Sequence, residues 1–191
     1  AHGLGCLGDN GRGSMALAKV LPAQVPLLVG TFGKALGTAG AFVATTQDIA
    51  DYLTQFARPY VYTTAMSPAL AGATRASVQL LQTAEGDDLR ATLAQNIAYF
   101  RAKMSKLPLT LMASSTAIQP ILLGETALAL RLSELLKQQG IWCTAIRPPT
   151  VPVGSARLRV TLSAAHTQAH IDSLVQAIES SWECILSETN N

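Results

Sequence analysis

Charge is scarce in this sequence. Lys and Arg number 14 and Asp and Glu 12 in 191 residues, a formal net charge of +2, and charged residues make up only 14%. An average soluble domain carries roughly 25%. A balance so near neutral argues against a dedicated nucleic-acid binder, which carries a clear basic excess. Aromatic residues are also few, at 5%, yet hydrophobic residues reach 49%, so the chain is too apolar to be disordered. No run approaches the ~18 to 20 uninterrupted apolar residues of a membrane span. Cysteine is limited to Cys6, Cys143 and Cys184. An odd, widely spaced set is not a disulfide framework, and a reducing compartment, the cytoplasm, is the expected location. The chain opens Ala1-His2-Gly3, with no Met and neither the basic nor the apolar region of a signal peptide; it reads as starting inside a longer sequence.

What is present is glycine and apolar periodicity. Gly3, Gly5, Gly8, Gly11 and Gly13 make the first 26 residues loop-like, with a short helix expected near Met15–Lys19, ahead of Pro22 and Pro26. Leu27–Gly30 reads as a short buried strand and Gly40–Thr45 as a second. The Gly-rich turn between them has hairpin spacing, which predicts an antiparallel pair. Thr46–Phe56 has a helical pattern and Tyr60–Thr63 an extended one. A helix is expected from Ser67 to about Thr83, with Pro68 in its first turn, where the missing N–H needs no partner. Another covers about Asp87–Lys106, where Leu89, Leu93, Ile97, Phe100, Met104 and Leu107 mark one face at helical spacing.

Beyond Leu109 the order becomes strand, helix, strand, strand, helix. Ile118–Leu123 is a strand, and Thr126–Gln139 a helix ended by Gly140. Ile141–Ile146 and Arg157–Thr161 are strands. Thr167 caps a last helix with Ile171, Leu174, Val175, Ile178 and Trp182 as its buried stripe. Neither internal repeat nor low-complexity tract interrupts this. The pattern is two α/β pieces joined through the long helix near residue 100.

Several motifs fail on their physics. Gly3-Leu4-Gly5-Cys6-Leu7-Gly8 matches G-x-G-x-x-G, but no strand precedes it and Asp9-Asn10-Gly11-Arg12-Gly13 will not open a helix. Gly33-Lys34 is not a P-loop, because Leu28 and Ala35 stand where Gly and Ser or Thr are required. His166 and His170 are one helical turn apart, but Thr167 replaces the zincin Glu and no third ligand is evident. They read as solvated histidines at a helix N-terminus. Arg157 and Arg159 alternate on a strand and share a face, fitting an exposed edge, an ion pair or carboxylate binding. Thr31-Phe32-Gly33-Lys34-Ala35-Leu36-Gly37 carries more chemistry. A lysine just past a strand, among small neighbours, admits a bulky group, and partial burial would favour the neutral amine that attacks a carbonyl. A hydroxyl three residues earlier can bind a phosphate. The bland alternative is an ordinary turn lysine.

Together these blocks resemble a known family. Ala1-His2-Gly3 with Gly11-Arg12-Gly13, Thr31-Phe32-Gly33-Lys34, and Tyr62-Thr63-Thr64 with Ser67-Pro68 are followed by Ser115-Thr116-Ala117-Ile118-Gln119-Pro120. Last come Ala145-Ile146-Arg147-Pro148-Pro149-Thr150-Val151-Pro152 and Arg157-Leu158-Arg159-Val160-Thr161. In order, and over almost the whole chain, they are similar to the C-terminal half of the α-oxoamine synthases. These are pyridoxal-phosphate (PLP) acyltransferases of the aspartate-aminotransferase fold type.

The resemblance implies an α/β fold with 1–100 as the C-terminal part of a large PLP-binding domain and 101–191 as a small α/β domain. It implies that Lys34 holds PLP covalently and moves the Cα proton, that His2 hydrogen-bonds the cofactor's phenolic oxygen, and that Thr31 binds its phosphate. Thr63 or Thr64 would reach the phosphate in the partner subunit of a homodimer. Arg147 would take the amino-acid carboxylate and Thr150 line the substrate pocket, with no metal. The implied reaction is the decarboxylative condensation of L-alanine with a pimeloyl thioester, on coenzyme A or a carrier protein, in biotin biosynthesis. The Arg147–Pro152 and Ala117–Pro120 blocks favour that branch over glycine-using relatives. A truncated, non-catalytic binding module is the alternative of another class. In the family an Asp two residues ahead of Ala1 pairs with the pyridinium nitrogen, and an N-terminal half precedes it. The chain is accordingly expected to be incomplete and inactive by itself.

Overall fold

A computed structural model describes residues 1–189. The chain divides into two compact units, the first Ala1–Arg90 and the second from Ala91 onward.

The first unit opens with the glycine-rich segment, which closes on itself. Leu4 and Arg12 form an antiparallel bridge. Gly5 N–H donates to Gly11 O and Gly13 N–H to Leu7 O, both at 2.7 Å. Gly11 has φ of 69°, and a Cβ there would fall 2.8 Å from Gly5 O. The close approach requires glycine, and the segment's backbone bonds replace the helix that a dinucleotide fingerprint would need. A short helix, α1 (Ser14–Leu17), follows. Strands β1 (Leu27–Thr31) and β2 (Ala41–Thr45) form an antiparallel hairpin in the register Leu27↔Thr45 to Thr31↔Ala41, as the turn spacing predicts. The expected burial of β1 is corrected. Leu27, Leu28 and Val29 are 42%, 36% and 56% exposed, because a two-stranded sheet has no third layer among the described residues to cover them.

Helix α2 (Gln47–Phe56) starts after Thr46. Tyr60–Thr63 is not extended. Its first residues belong to a helical turn, α3 (Arg58–Val61), with Pro59 in the opening position. Proline presets φ for a helix start, and the N–H groups of Tyr60 and Val61 both bond Ala57 O. Helix α4 (Pro68–Leu81) begins with Pro68, as expected. Helix α5 (Ala84–Met104) follows, and the junction between units falls inside it, after Arg90. The sequence boundary at 100/101 lies in the same helix.

The second unit is a four-stranded sheet in the order β3-β4-β6-β5, from β3 (Thr110–Leu111), β4 (Ile118–Gly124), β5 (Thr144–Ile146) and β6 (Ala156–Thr161). All neighbours are antiparallel. Helices α6 (Thr126–Gln138) and α7 (Gln168–Thr189) complete it. The core joins Phe100 and Met104 of α5, Ile121 of β4, Leu132 and Leu136 of α6, Leu158 of β6, and Ile171 and Ile178 of α7. The apolar stripes read from the sequence are therefore core faces, except that Leu89 is 42% exposed. Truncating a fully buried ring such as Phe100 costs about 3–5 kcal/mol. Gly140, at φ of 78°, ends α6 where the chain reverses towards β5. Asn96 is buried, and its amide donates to Ser163 O at 3.1 Å and His166 O at 2.7 Å. That anchors the turn leading into α7. Among the described residues, no helix is long and apolar enough to cross a membrane.

Candidate active site

Lys34 stands in the turn of the β1–β2 hairpin, three residues past Thr31, which ends β1. Its Nζ donates to Thr31 Oγ1 at 3.5 Å. The turn is built by backbone bonds. Phe32 N–H donates to Gly40 O at 2.9 Å, Thr38 N–H to Phe32 O at 3.0 Å, and Gly37 N–H to Lys34 O at 2.9 Å. It is also tied to α4. The hydroxyls of Thr38 and Thr74 are 2.8 Å apart, and Ser77 Oγ donates to Leu36 O at 2.9 Å. Leu36 and Thr74 are buried at this junction. Thr38, Thr74 and Ser77 are the positioning groups that the sequence reasoning missed. They lie 36 and 41 residues from their partners, beyond any local pattern.

Partial burial of Lys34 is not what the structure has. Lys34 is exposed, because Gly33 and Gly37 beside it carry no side chain that could cover the ammonium. His2, Thr63 and Thr64 are exposed as well, whereas Thr31 is half-buried. His2 precedes the closed glycine loop, and Thr63 and Thr64 follow α3. Thr63 N–H bonds Tyr60 O at 3.3 Å, and neither threonine hydrogen-bonds Lys34 or Thr31. A cavity of about 540 Å³ lies between the glycine loop (Leu4, Asn10, Gly11, Arg12), the hairpin (Phe32, Leu36, Phe42) and α4 (Val78, Leu81, Gln82). Its lining does not include Lys34.

In the second unit, Arg147 follows β5 directly. Thr150 N–H donates to Arg147 O at 3.0 Å, and Arg147 Nη1 donates to Pro148 O at 3.4 Å. Both side chains are exposed, so the turn places them together with the guanidinium open to solvent. Arg157 and Arg159 do not form a sheet edge, since β6 lies between β4 and β5. Neither pairs with a carboxylate among the described residues. His166 and His170 are exposed at the start of α7. The Nδ1 of His166 accepts from Ser163 N–H and that of His170 from Thr167 N–H, while Thr167 Oγ1 accepts from His170 N–H as the expected cap. No group of three or more His, Cys, Asp or Glu among the described residues is arranged for a metal.

A lysine amine beside a hydroxyl, on a turn flanked by glycines, can form an imine with an aldehyde and hold an attached anion. Comparison with known proteins narrows this. The family model for aminotransferase class I and II matches residues 1–178. The 8-amino-7-oxononanoate synthase of Marinomonas sp. (strain MWYL1) is 64% identical over 179 residues, covering 94% of this chain and 44% of that protein. The solved 8-amino-7-oxononanoate synthase of Francisella tularensis superposes with a TM-score of 0.84 at 34% identity, over 97% of this chain and 54% of that one. A serine palmitoyltransferase variant from S. paucimobilis with a bound PLP–myriocin aldimine gives a TM-score of 0.88 at 27% identity, over 97% of this chain and 46% of its own. The chain thus spans about half the length of the relatives it matches.

Proposed function

Because the chain belongs to the aminotransferase class I and II family, we propose that it supplies the lysine-bearing portion of an 8-amino-7-oxononanoate synthase. The observation that carries this reading is the 64% identity to such a synthase over 179 residues, a span that includes most of the residues discussed. The reaction is the condensation of L-alanine with a pimeloyl thioester. It gives 8-amino-7-oxononanoate, carbon dioxide and the free thiol of coenzyme A or a carrier protein.

The donor set fits pyridoxal phosphate. A primary amine for its aldehyde and a hydroxyl for its phosphate lie 3.5 Å apart on one turn. When bound, this cofactor supplies an electron-withdrawing ring that stabilises negative charge at the Cα of an amino acid. The protein's own residues do the rest. Lys34 anchors the cofactor and moves the proton at Cα. Thr31 donates to the phosphate, and His2 to the phenolic oxygen. Thr63 or Thr64 reaches the phosphate of a partner subunit in a homodimer. Arg147 offers the planar fork that a carboxylate takes in two parallel bonds, and so holds the α-carboxylate of alanine, while Thr150 lines the pocket beside it. The location in this reading is the cytoplasm.

Borohydride reduction after incubation with pyridoxal phosphate tests the assignment. A pyridoxyl adduct is expected on the peptide containing Lys34 and is lost in Lys34→Ala. An adduct confined to other lysines overturns it.

A further inference from the structure

Among the described residues, the helices of the second unit pack on the face of its sheet that carries Ile121 and Leu158. Gln119 and Ile121 of β4 and Leu158 and Val160 of β6 are buried on that face. The alternate positions point the other way, and among them are Arg157 and Arg159. The charge on this opposite face is one-sided. The second unit contains six acids, Glu125, Glu134, Asp172, Glu179, Glu183 and Glu188. All of them lie on α6 or α7 or, for Glu125, at the N-cap of α6. None is on a strand.

Arg157 is the held member of the pair. Its Nε donates to Ser155 O at 3.0 Å and its Nη1 to Met112 Sδ at 3.4 Å. Its Nη2 has no partner among the described residues. A part-buried guanidinium without a counter-charge is costly, and one fixed by two contacts is pre-organised to receive an anion. Its neighbours select which anion. Across the sheet Arg157 pairs with Leu122 on one side and Ile146 on the other, and both are half-buried. With Met112 they give the guanidinium an apolar surround. This suits a carboxylate at the end of a methylene chain better than an inorganic anion, which has no apolar part to bury.

We infer that Arg157 is a substrate-binding residue that seats the terminal carboxylate of the acyl donor, with its methylenes against Met112, Leu122 and Ile146. The inference rests on the proposed function, in which a pimeloyl thioester brings a second carboxylate besides that of alanine. Two carboxylates need two cationic seats, and Arg147 serves only one.

The test is a titration of the full chain with heptanoate, which carries one carboxylate on an apolar chain, read from the ¹⁵N resonance of the Arg157 Nε–H. Acetate and inorganic phosphate are the comparison probes. Saturable movement with heptanoate, with acetate and phosphate at least about tenfold weaker, is the expected result. In Arg157→Met, where the backbone N–H resonances of Met112 and Ile146 report binding instead, the heptanoate affinity falls about tenfold or more. A resonance that heptanoate leaves unmoved overturns the inference. So does equal binding of acetate or phosphate, which would make the face a general anion site. The wild-type titration decides the matter even where the variants fail to fold. The Lys34 adduct is scored separately. An adduct with no heptanoate response sinks this inference alone, and a response with no adduct sinks the parent reading.

Discussion

Half-buried Arg101 and buried Gln119 form one polar unit beneath the segment Met112–Gln119. Arg101 Nη1 donates to Gln119 Oε1 at 2.8 Å and to Met112 O at 3.1 Å. Gln119 has no exposed surface, and its Nε2 donates to Ser114 O at 3.3 Å and Thr116 O at 2.6 Å. The block Ser115–Pro120, which carries part of the family resemblance, is thus held from inside by its own glutamine. Gln119→Leu keeps the bulk but strands these partners, which costs about 1–3 kcal/mol. Gln119→Glu keeps the acceptor for Arg101 but turns lone pairs towards two carbonyls, and destabilises as well. Urea denaturation should show lower midpoints for both variants with an unchanged slope. A leucine variant as stable as wild type would show that the network adds nothing.

The lysine turn should be loosened from α4 without touching the lysine. Thr74→Val removes the hydroxyl that meets Thr38, and Ser77→Ala removes the donor to Leu36 O. Each is expected to cost about 1 kcal/mol and to speed amide exchange at Gly37 and Thr38, whose N–H groups close the turn. Lys34 should still take up the pyridoxyl label. If exchange in the turn is unaltered in both variants, the hairpin holds its shape by backbone bonds alone.

Much of this fold could be read before the structure, for reasons that also explain the failures. The faces of α5, α6 and α7 stood out because period 3.6 repeats several times in each. The hairpin stood out because glycines mark its turn. Tyr60–Thr63 was misjudged because its β-prone residues outweighed Pro59, which nucleates a turn one residue earlier. Strand β3 is two residues long, too short to carry any period. Thr31 and Lys34 were legible as a pair because they sit three apart on one turn. The anchors Thr74 and Ser77 were not, since a hydroxyl in a helix gives no sign of a distant partner. The alternation of Arg157 and Arg159 was plain, but the acid-free face around them depends on the strand order.

Acid should erase one surface interaction selectively. Lys103 Nζ and Tyr99 Oη each lie 2.8 Å from Asp172 Oδ1. Their hydrogen bonds, that of Lys103 foremost, hold the Asp172 carboxyl below its usual range. A depressed carboxylate contributes stability that is present above its unfolded value, about 3.9, and is lost as pH falls through the lower folded one. The lysine is its mirror image. Asp172 and Tyr99 hold the Lys103 ammonium above its usual range, so its share is present below the unfolded lysine value and lost as pH rises through the folded one. The difference in denaturation midpoint between wild type and Asp172→Asn should therefore be constant around neutrality and vanish in strong acid. A difference that persists there would assign the effect to packing instead of charge.

The three thiols should separate by reactivity, and their order tests the packing of β5 on β6. Cys143 is buried just ahead of β5, and its Sγ donates to Arg159 O at 3.4 Å. Burial pushes its thiol up to about 12. The thiolate is the nucleophile, so at pH 8 only on the order of one molecule in ten thousand carries it at this site. Cys6 is half-buried, and burial raises its thiol too, partly offset by the Arg90 guanidinium. Cys184 is exposed on α7, with its Sγ 3.6 Å from Glu188 Oε1. Iodoacetamide should therefore label Cys184 first and Cys6 more slowly, with Cys143 unmodified until the protein is unfolded, as read by peptide mass spectrometry. Labelling of Cys143 at the rate of Cys184 would mean that β5 detaches from β6 in the native state. Ile146 would then leave its place beside Arg157, and the apolar surround that selects a chain-borne carboxylate would be lost with it.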